Sequence, residues 1–506
     1  MTLPLRVCLL SVVTALASGA CSNAEDPSEE TSSATTTLRV GPGVPAPLLC
    51  SHLRSVGCAP AESRLLIVGA DILYGTMDKL RNHKNATGMS AYVMTMSDVR
   101  QYPGRDDAER LKHVIRRMHE EKGTWYVLLA GGGTDVPVRR RSVMDHPGSE
   151  NYNFDSGYNI SDLYYANLYH HVGLRAGTFD DWDASGNGRF NEQMWEDRAA
   201  SNNPDDVDGY PDVAVGRVPS VDGFGTYVDK VIRYETGTAG HPSGLTTAAF
   251  IADLNYPGAT TLLERIENET HLAGRAQHWV VNSYDTPPPA GWSRTGEEAV
   301  AAIDTMVKTS PWISYVGHGS RGNWGVYEKG GATYGWDHVR ELDNTYLPIV
   351  FAAACETGKF SGNAPLDPYT DVNGVNRYLT IDKPNGVVWV EGSQTWPLPF
   401  VTPVPGVYDH VSFNVSFASD FITPTRGGGA IAYFGMNVSM PPGLAVELQI
   451  DMLKSYGKGY RVLGDIYADG ARTYWADNLS NDYVFGHPRI FLSIAQFFGD
   501  PSLRLK

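Results

Sequence analysis

What the sequence lacks narrows it before anything it contains. Basic clusters are scarce: the net charge is −16, and the one short basic run is Arg139-Arg140-Arg141. Nucleic-acid binding needs clustered Lys and Arg to displace counterions from phosphate, so that class is excluded. After the first twenty residues no apolar stretch approaches the roughly 18 residues a membrane helix requires. Cysteines number only five in 506 residues, too few for a disulfide scaffold. The sequence has no H-E-x-x-H, because MHEEK stops short of a second histidine, and this argues against a zinc peptidase. It has no G-x-S-x-G elbow, and GGGTDV and ETGKF both lack the spacing of a phosphate-binding loop. No repeat of solenoid or propeller period is present.

What remains is a globular composition with 42% hydrophobic residues, 11% aromatics and 53 glycines. The length exceeds what one hydrophobic core usually serves, so two or three packed units are expected. Residues 1–20 carry Arg6, the apolar CLLSVVTALA and small residues ending in Ala20, the pattern of a signal peptide. Cleavage there leaves Cys21 first, ahead of a polar Ser/Thr-rich stretch over 21–60 that reads as a tether or pro-segment. This is the layout of a lipoprotein anchored through Cys21, although Ser18 departs from the leucine usual there. Cys50 and Cys58 lie close together, where an oxidising compartment favours a local disulfide. Subtraction leaves Cys355 without a partner, either a buried inert thiol or a reactive one.

From residue 64 the chain alternates strand and helix patterns. RLLIVGA, WYVLLAGGG, PDVAVGRVP, TTAAFIAD, WISYVGHGS, PIVFAAAC and GGGAIAYFG read as short buried strands. Between them, Leu111, Val114, Ile115 and Met118 form the apolar stripe of a helix over 106–121, and Thr295-Gly-Glu-Glu298 reads as a capping box. Such alternation predicts an α/β fold with parallel sheets covered by helices. A break near 220–245 divides it into an N-terminal unit, 61–235, and a C-terminal unit, 236–506.

In open parallel sheets the reactive crevice lies beyond the carboxyl ends of the strands, and His318 and Cys355 both fall at such ends. A thiol attacks a carbonyl as thiolate, so a nucleophilic cysteine needs a base, and histidine titrates in the suitable range. Gly317 and Gly319 let the backbone turn sharply around His318. The amides of Gly319 and Cys355 are the natural donors for an oxyanion. Histidine precedes cysteine, the order of the caspase-like class.

YVGHGSRGNWG and FAAACETGKF resemble the two signature blocks of the gingipain-type cysteine peptidases. PTRGGGAIAYFGMNVSM, PDVAVGRVP, YVLLAGGGTDVPVRR and the terminal FGDPSLRL resemble further blocks in the family's order, so the likeness runs from about 64 to 506. The resemblance implies caspase-like parallel-sheet α/β/α sandwiches in two subdomains, with the C-terminal one catalytic. It also implies a cysteine endopeptidase acting on protein or peptide substrates through His318 and Cys355. Its acidic third member points to Asp253, for which a strand-end helix cap is the competing reading. The position of its pocket-lining tryptophan falls on Met440. The segment NGVVWVEGSQTWPLPF, inserted relative to the family, offers Trp396 as a pocket wall or lid, with packing as the competing reading, and Trp324 is a further substrate-binding candidate. Where arginine-cleaving relatives carry an acid in the pocket that holds the residue before the scissile bond, the aligned stretch here offers Thr260, which speaks against a trypsin-like preference. Two other readings remain: a sorting peptidase or transpeptidase of the same family, and a surface adhesion lipoprotein on a peptidase scaffold.

The acidic balance also suits hard cations. DWDASGNGRFNE places oxygen ligands at Asp181, Asp183, Ser185, Asn187 and Glu192 with EF-hand-like spacing, and a register starting at Asp183 is also open. Structural calcium is the expected cofactor. The family resemblance adds Asp208 and Asp212 as further calcium positions.

Overall fold

The computed structural model describes residues 64–144, 158–172, 174–186, 188–194, 204–238, 244–281, 287–294, 298–327, 333–360, 369–370, 376–377, 379–382, 387–390, 416–439, 442–478 and 488–505. The expected signal peptide, Cys21, the 21–60 tether, Cys50, Cys58, Asn187, Trp396 and Met440 lie outside them.

Eleven strands form one sheet. In chain order they are β1 (Leu65–Gly69), β2 (Ala91–Thr95), β3 (Tyr126–Ala130), β4 (Ala214–Val218), β5 (Ala248–Asp253), β6 (Ala276–Val281), β7 (Ser293–Arg294), β8 (Trp312–Val316), β9 (Ile349–Ala353), β10 (Ala432–Met436) and β11 (Ala495–Phe498). Their spatial order is β7-β6-β5-β8-β9-β10-β11-β4-β3-β1-β2. Every pairing is parallel except β10 with β11, so two parallel blocks run in opposite directions and meet at that one antiparallel seam. A boundary at 235–236 therefore falls within one continuous sheet, because the C-terminal β11 crosses over to pair with β4.

LLIVG, YVLLA, AVGRV, WISYV and IVFAA are buried at every position. Successive strand side chains point to opposite faces, so both faces of the sheet are covered, as the unbroken apolar runs predict. The covering helices include α1 (Tyr74–Ala86), α2 (Asp107–Lys122), α3 (Val221–Thr236), α4 (Ala259–Glu269), α5 (Ala299–Thr309), α6 (Pro442–Gly457) and α7 (Leu463–Asp477). α2 starts at Asp106, whose carboxylate accepts from the Glu109 amide, and stops at Gly123 in the left-handed conformation. Leu111, Val114 and Ile115 are buried on its inner face. The capping box expected at Thr295 falls on residues outside the described set, 295–297. The helix α5 begins at Ala299 after Glu298, which makes no side-chain cap.

Candidate active site

β5, β8 and β9 are neighbours in the sheet, with Ala252, Val316 and Ala353 in one row of the register. Just beyond that row, at the carboxyl ends, come Asp253, His318 and Cys355. Neighbouring strands lie about 4.8 Å apart, so topology alone brings the histidine and cysteine segments side by side. Gly319 follows His318 in a close approach: a methyl group there would sit 2.9 Å from Ala354 Cβ and 3.1 Å from the Cys355 carbonyl oxygen. Glycine is required because the histidine loop is pressed onto the cysteine turn.

The main chain of His318 is held from three sides. Its carbonyl accepts from the Tyr315 hydroxyl at 2.7 Å and from the Gly325 amide at 2.7 Å, and its amide donates to Asp253 Oδ2 at 3.2 Å. Asp253 is fully buried and its Oδ1 also accepts from the Asn255 amide at 2.9 Å. Asp253 does not cap the following helix α4, whose N-cap is Gly258; its carboxylate instead closes the turn at Asn255 and holds the histidine through its backbone. The His318 side chain itself is exposed, and Cys355 is a free, half-buried cysteine.

After His318 the chain folds back as a hairpin, Gly319–Ser320 against Asn323–Tyr327, which pairs in turn with Thr333–Gly335. Trp324 lies in this hairpin, and the structure corrects its assignment to substrate. The indole is fully buried, stacked on Tyr315 with centroids 4.5 Å apart, and donates to the Tyr433 hydroxyl at 3.1 Å. An enclosed side chain supports the loop from beneath and offers no surface to a peptide.

The turn after Cys355 is strained. Glu356 has φ +53°, a left-handed conformation uncommon for a residue with a Cβ. A short helix, Phe417–Ile422, then ties the two loops together. Its first amides have no partner within the helix, and they donate outward: Phe417 N to the Arg321 carbonyl at 2.7 Å and Ala418 N to the Thr357 carbonyl at 3.0 Å. One helix end thereby fixes the histidine hairpin and the cysteine turn against each other. Sequence reading missed this helix, although Ser416, whose hydroxyl accepts from the Ser419 amide, was a visible N-cap signal. It also missed Tyr256, whose ring stands 5.4 Å from the His318 imidazole at 66°.

The carboxylates read as calcium ligands already have partners among the described residues. Arg105 pairs with Asp181 at 3.0 Å, Asp183 at 2.5 Å and Glu109 at 3.0 Å, while Arg189 pairs with Glu192 at 2.8 Å. The Ser185 and Glu192 amides donate to Asp205, a carboxyl that burial pushes up to about 6. Asp208 accepts from the amides of His171 and Tyr210, and Asp212 from those of Leu168 and Tyr169 and from His171 Nε2. Among the described residues no group of three or more His, Cys, Asp or Glu gathers as a metal cage. In this arrangement guanidinium groups balance the loop carboxylates Asp181, Asp183 and Glu192.

Comparison with known proteins gives the family and the fold. The sequence model of Peptidase family C25 matches residues 59–391. Among solved structures, the Arg-specific cysteine proteinase gingipain R is 17% identical, with a TM-score of 0.52 over 89% of this chain and 80% of its own. A complex of the Porphyromonas gingivalis RgpB pro- and mature domains has 17% identity and a TM-score of 0.52 over 88% and 80%. A structure described as a protease has 12% identity and a TM-score of 0.52 over 90% and 81%. No curated protein matches the chain. Among the described residues no helix is long and apolar enough to cross a membrane.

Proposed function

The chain belongs to peptidase family C25, a family of cysteine peptidases, and we propose that it is an endopeptidase in which Cys355 is the nucleophile and His318 the general base. The observation that carries this reading is the pairing of β8 with β9, which brings both residues to adjacent strand ends under a common helical tie. His318 takes the thiol proton, and the sulfur attacks the peptide carbonyl carbon. The oxyanion forms beside the amides of Gly319 and Cys355. As the intermediate collapses, the C–N bond breaks and His318 returns its proton to the leaving amine. Water, deprotonated by the same imidazole, then cleaves the thioester, releasing the new carboxylate and restoring the thiol. Asp253 contributes by holding the His318 main chain.

The test is Cys355→Ala. Hydrolysis of casein should disappear while the melting temperature stays within a few degrees, and iodoacetamide should inactivate the unmodified protein. Peptide cleavage that survives in Cys355→Ala would refute the assignment.

Export and acylation at Cys21 belong to the same proposal; the intact mass of the mature protein decides them. Calcium at the 181–192 loop is a separate proposal, and the ion would have to displace Arg105 from Asp181 and Asp183. A melting temperature that ignores both added calcium and EDTA would end it.

A further inference from the structure

Tyr256 occupies the loop that leaves β5 beside Asp253, and nothing in the chemistry above uses it. The loop is tied at both ends: the Tyr256 amide donates to the Asp253 carbonyl at 3.0 Å, and its carbonyl accepts from the Ala259 amide, at the start of α4, at 3.2 Å. The tyrosine therefore projects from a short, fastened turn. Its ring meets the His318 imidazole edge to face, with centroids 5.4 Å apart. Burial, and after it the nearby Cys355 thiol, push the Tyr256 hydroxyl above the usual tyrosine range, which places the residue within electrostatic reach of Cys355. It is half-buried, with one side open.

The His318 imidazole needs such a neighbour. Its backbone is pinned three ways, but its side chain is exposed, and an exposed histidine samples several rotamers. Only an orientation facing Cys355 can take the thiol proton, and time spent elsewhere lowers the reactive fraction. Among the described residues, it is the Tyr256 ring that packs on this imidazole.

We propose that Tyr256 is a positioning residue of the Cys355–His318 pair, its ring packing edge to face on the imidazole so that the histidine is turned toward the thiol. The role belongs to the ring and not to the hydroxyl. It rests on the assignment of Cys355 and His318 made above.

The experiment compares Tyr256→Ala, Tyr256→Leu and Tyr256→Phe on casein hydrolysis and on the rate of iodoacetamide alkylation across pH, which needs no natural substrate. An edge-to-face contact of ordinary strength biases a rotamer equilibrium by roughly 3- to 10-fold. Tyr256→Ala and Tyr256→Leu should therefore lower kcat about 3- to 10-fold with KM changed less than about twofold, and should move the alkylation profile to higher pH. Tyr256→Phe should restore both. Wild-type kcat and alkylation in Tyr256→Ala, or a loss in Tyr256→Phe as large as in Tyr256→Ala, would overturn the proposal. Activity retained in Cys355→Ala would instead sink the assignment of the dyad, so the two failures are distinguishable.

Discussion

At the scale of single residues, the fold places charge where water is absent. Lys112 on α2 is fully buried, and its ammonium lies 4.2 Å from the Tyr164 ring centroid, with Phe179 and Trp182 at 5.4 and 5.6 Å. It has no hydrogen-bond partner among the described residues. Desolvation, against weaker attraction from Asp180 and Asp181, pulls it down to about 8. The folded value lies below the unfolded one, so the charged lysine costs stability in full below pH 8. That cost is relieved as pH rises from about 8 toward the unfolded value, and it amounts to about 3 kcal/mol at most. Lys112→Met should therefore stabilise the protein at pH 7 by roughly 1–3 kcal/mol, and the gain should shrink toward pH 10. Chemical denaturation at both pH values measures this; a variant less stable at pH 7 would show that the aromatic cage outweighs desolvation.

At the scale of elements, the histidine hairpin is a fitted part. Trp324 fills the space between Tyr315, Tyr334, Phe417 and Phe421, and Gly325 lets the hairpin close behind the histidine. A methyl group at Gly325 would lie 2.7 Å from His318 Cβ and 3.0 Å from its carbonyl oxygen. Gly325→Ala should thus push His318 away from Cys355 and lower kcat about 10-fold or more, while destabilising the fold by only about 1–2 kcal/mol. An unchanged kcat in a folded Gly325→Ala protein would argue that the hairpin does not set the geometry of the base. Many elements were readable from local signals: buried apolar runs gave seven of the eleven sheet strands, and the apolar stripe gave α2, read over 106–121 and observed over Asp107–Lys122. The helix at Phe417–Ile422 escaped because six residues carry too little periodicity to stand out from a loop.

For the whole molecule, the sequence by itself determined the fold class, seven of the eleven strands of the sheet and the two candidates for thiol chemistry, because apolar runs and strand-end glycines are local patterns. It also carried the family likeness, since the signature blocks are short and contiguous. Only the tertiary structure decided which strand lies beside which. The antiparallel seam between β10 and β11, the closure of two parallel blocks into one sheet, and the buried pairing of Lys84 with Glu235 and Asp500 all join distant parts of the chain. The same holds for Trp324, read from sequence as a substrate-binding candidate and buried in the structure, and for the pairing of Arg105 with the loop carboxylates Asp181 and Asp183. Periodicity records which face of an element is apolar. It does not record what packs against that face, because that is settled by the joint burial of surfaces far apart in sequence.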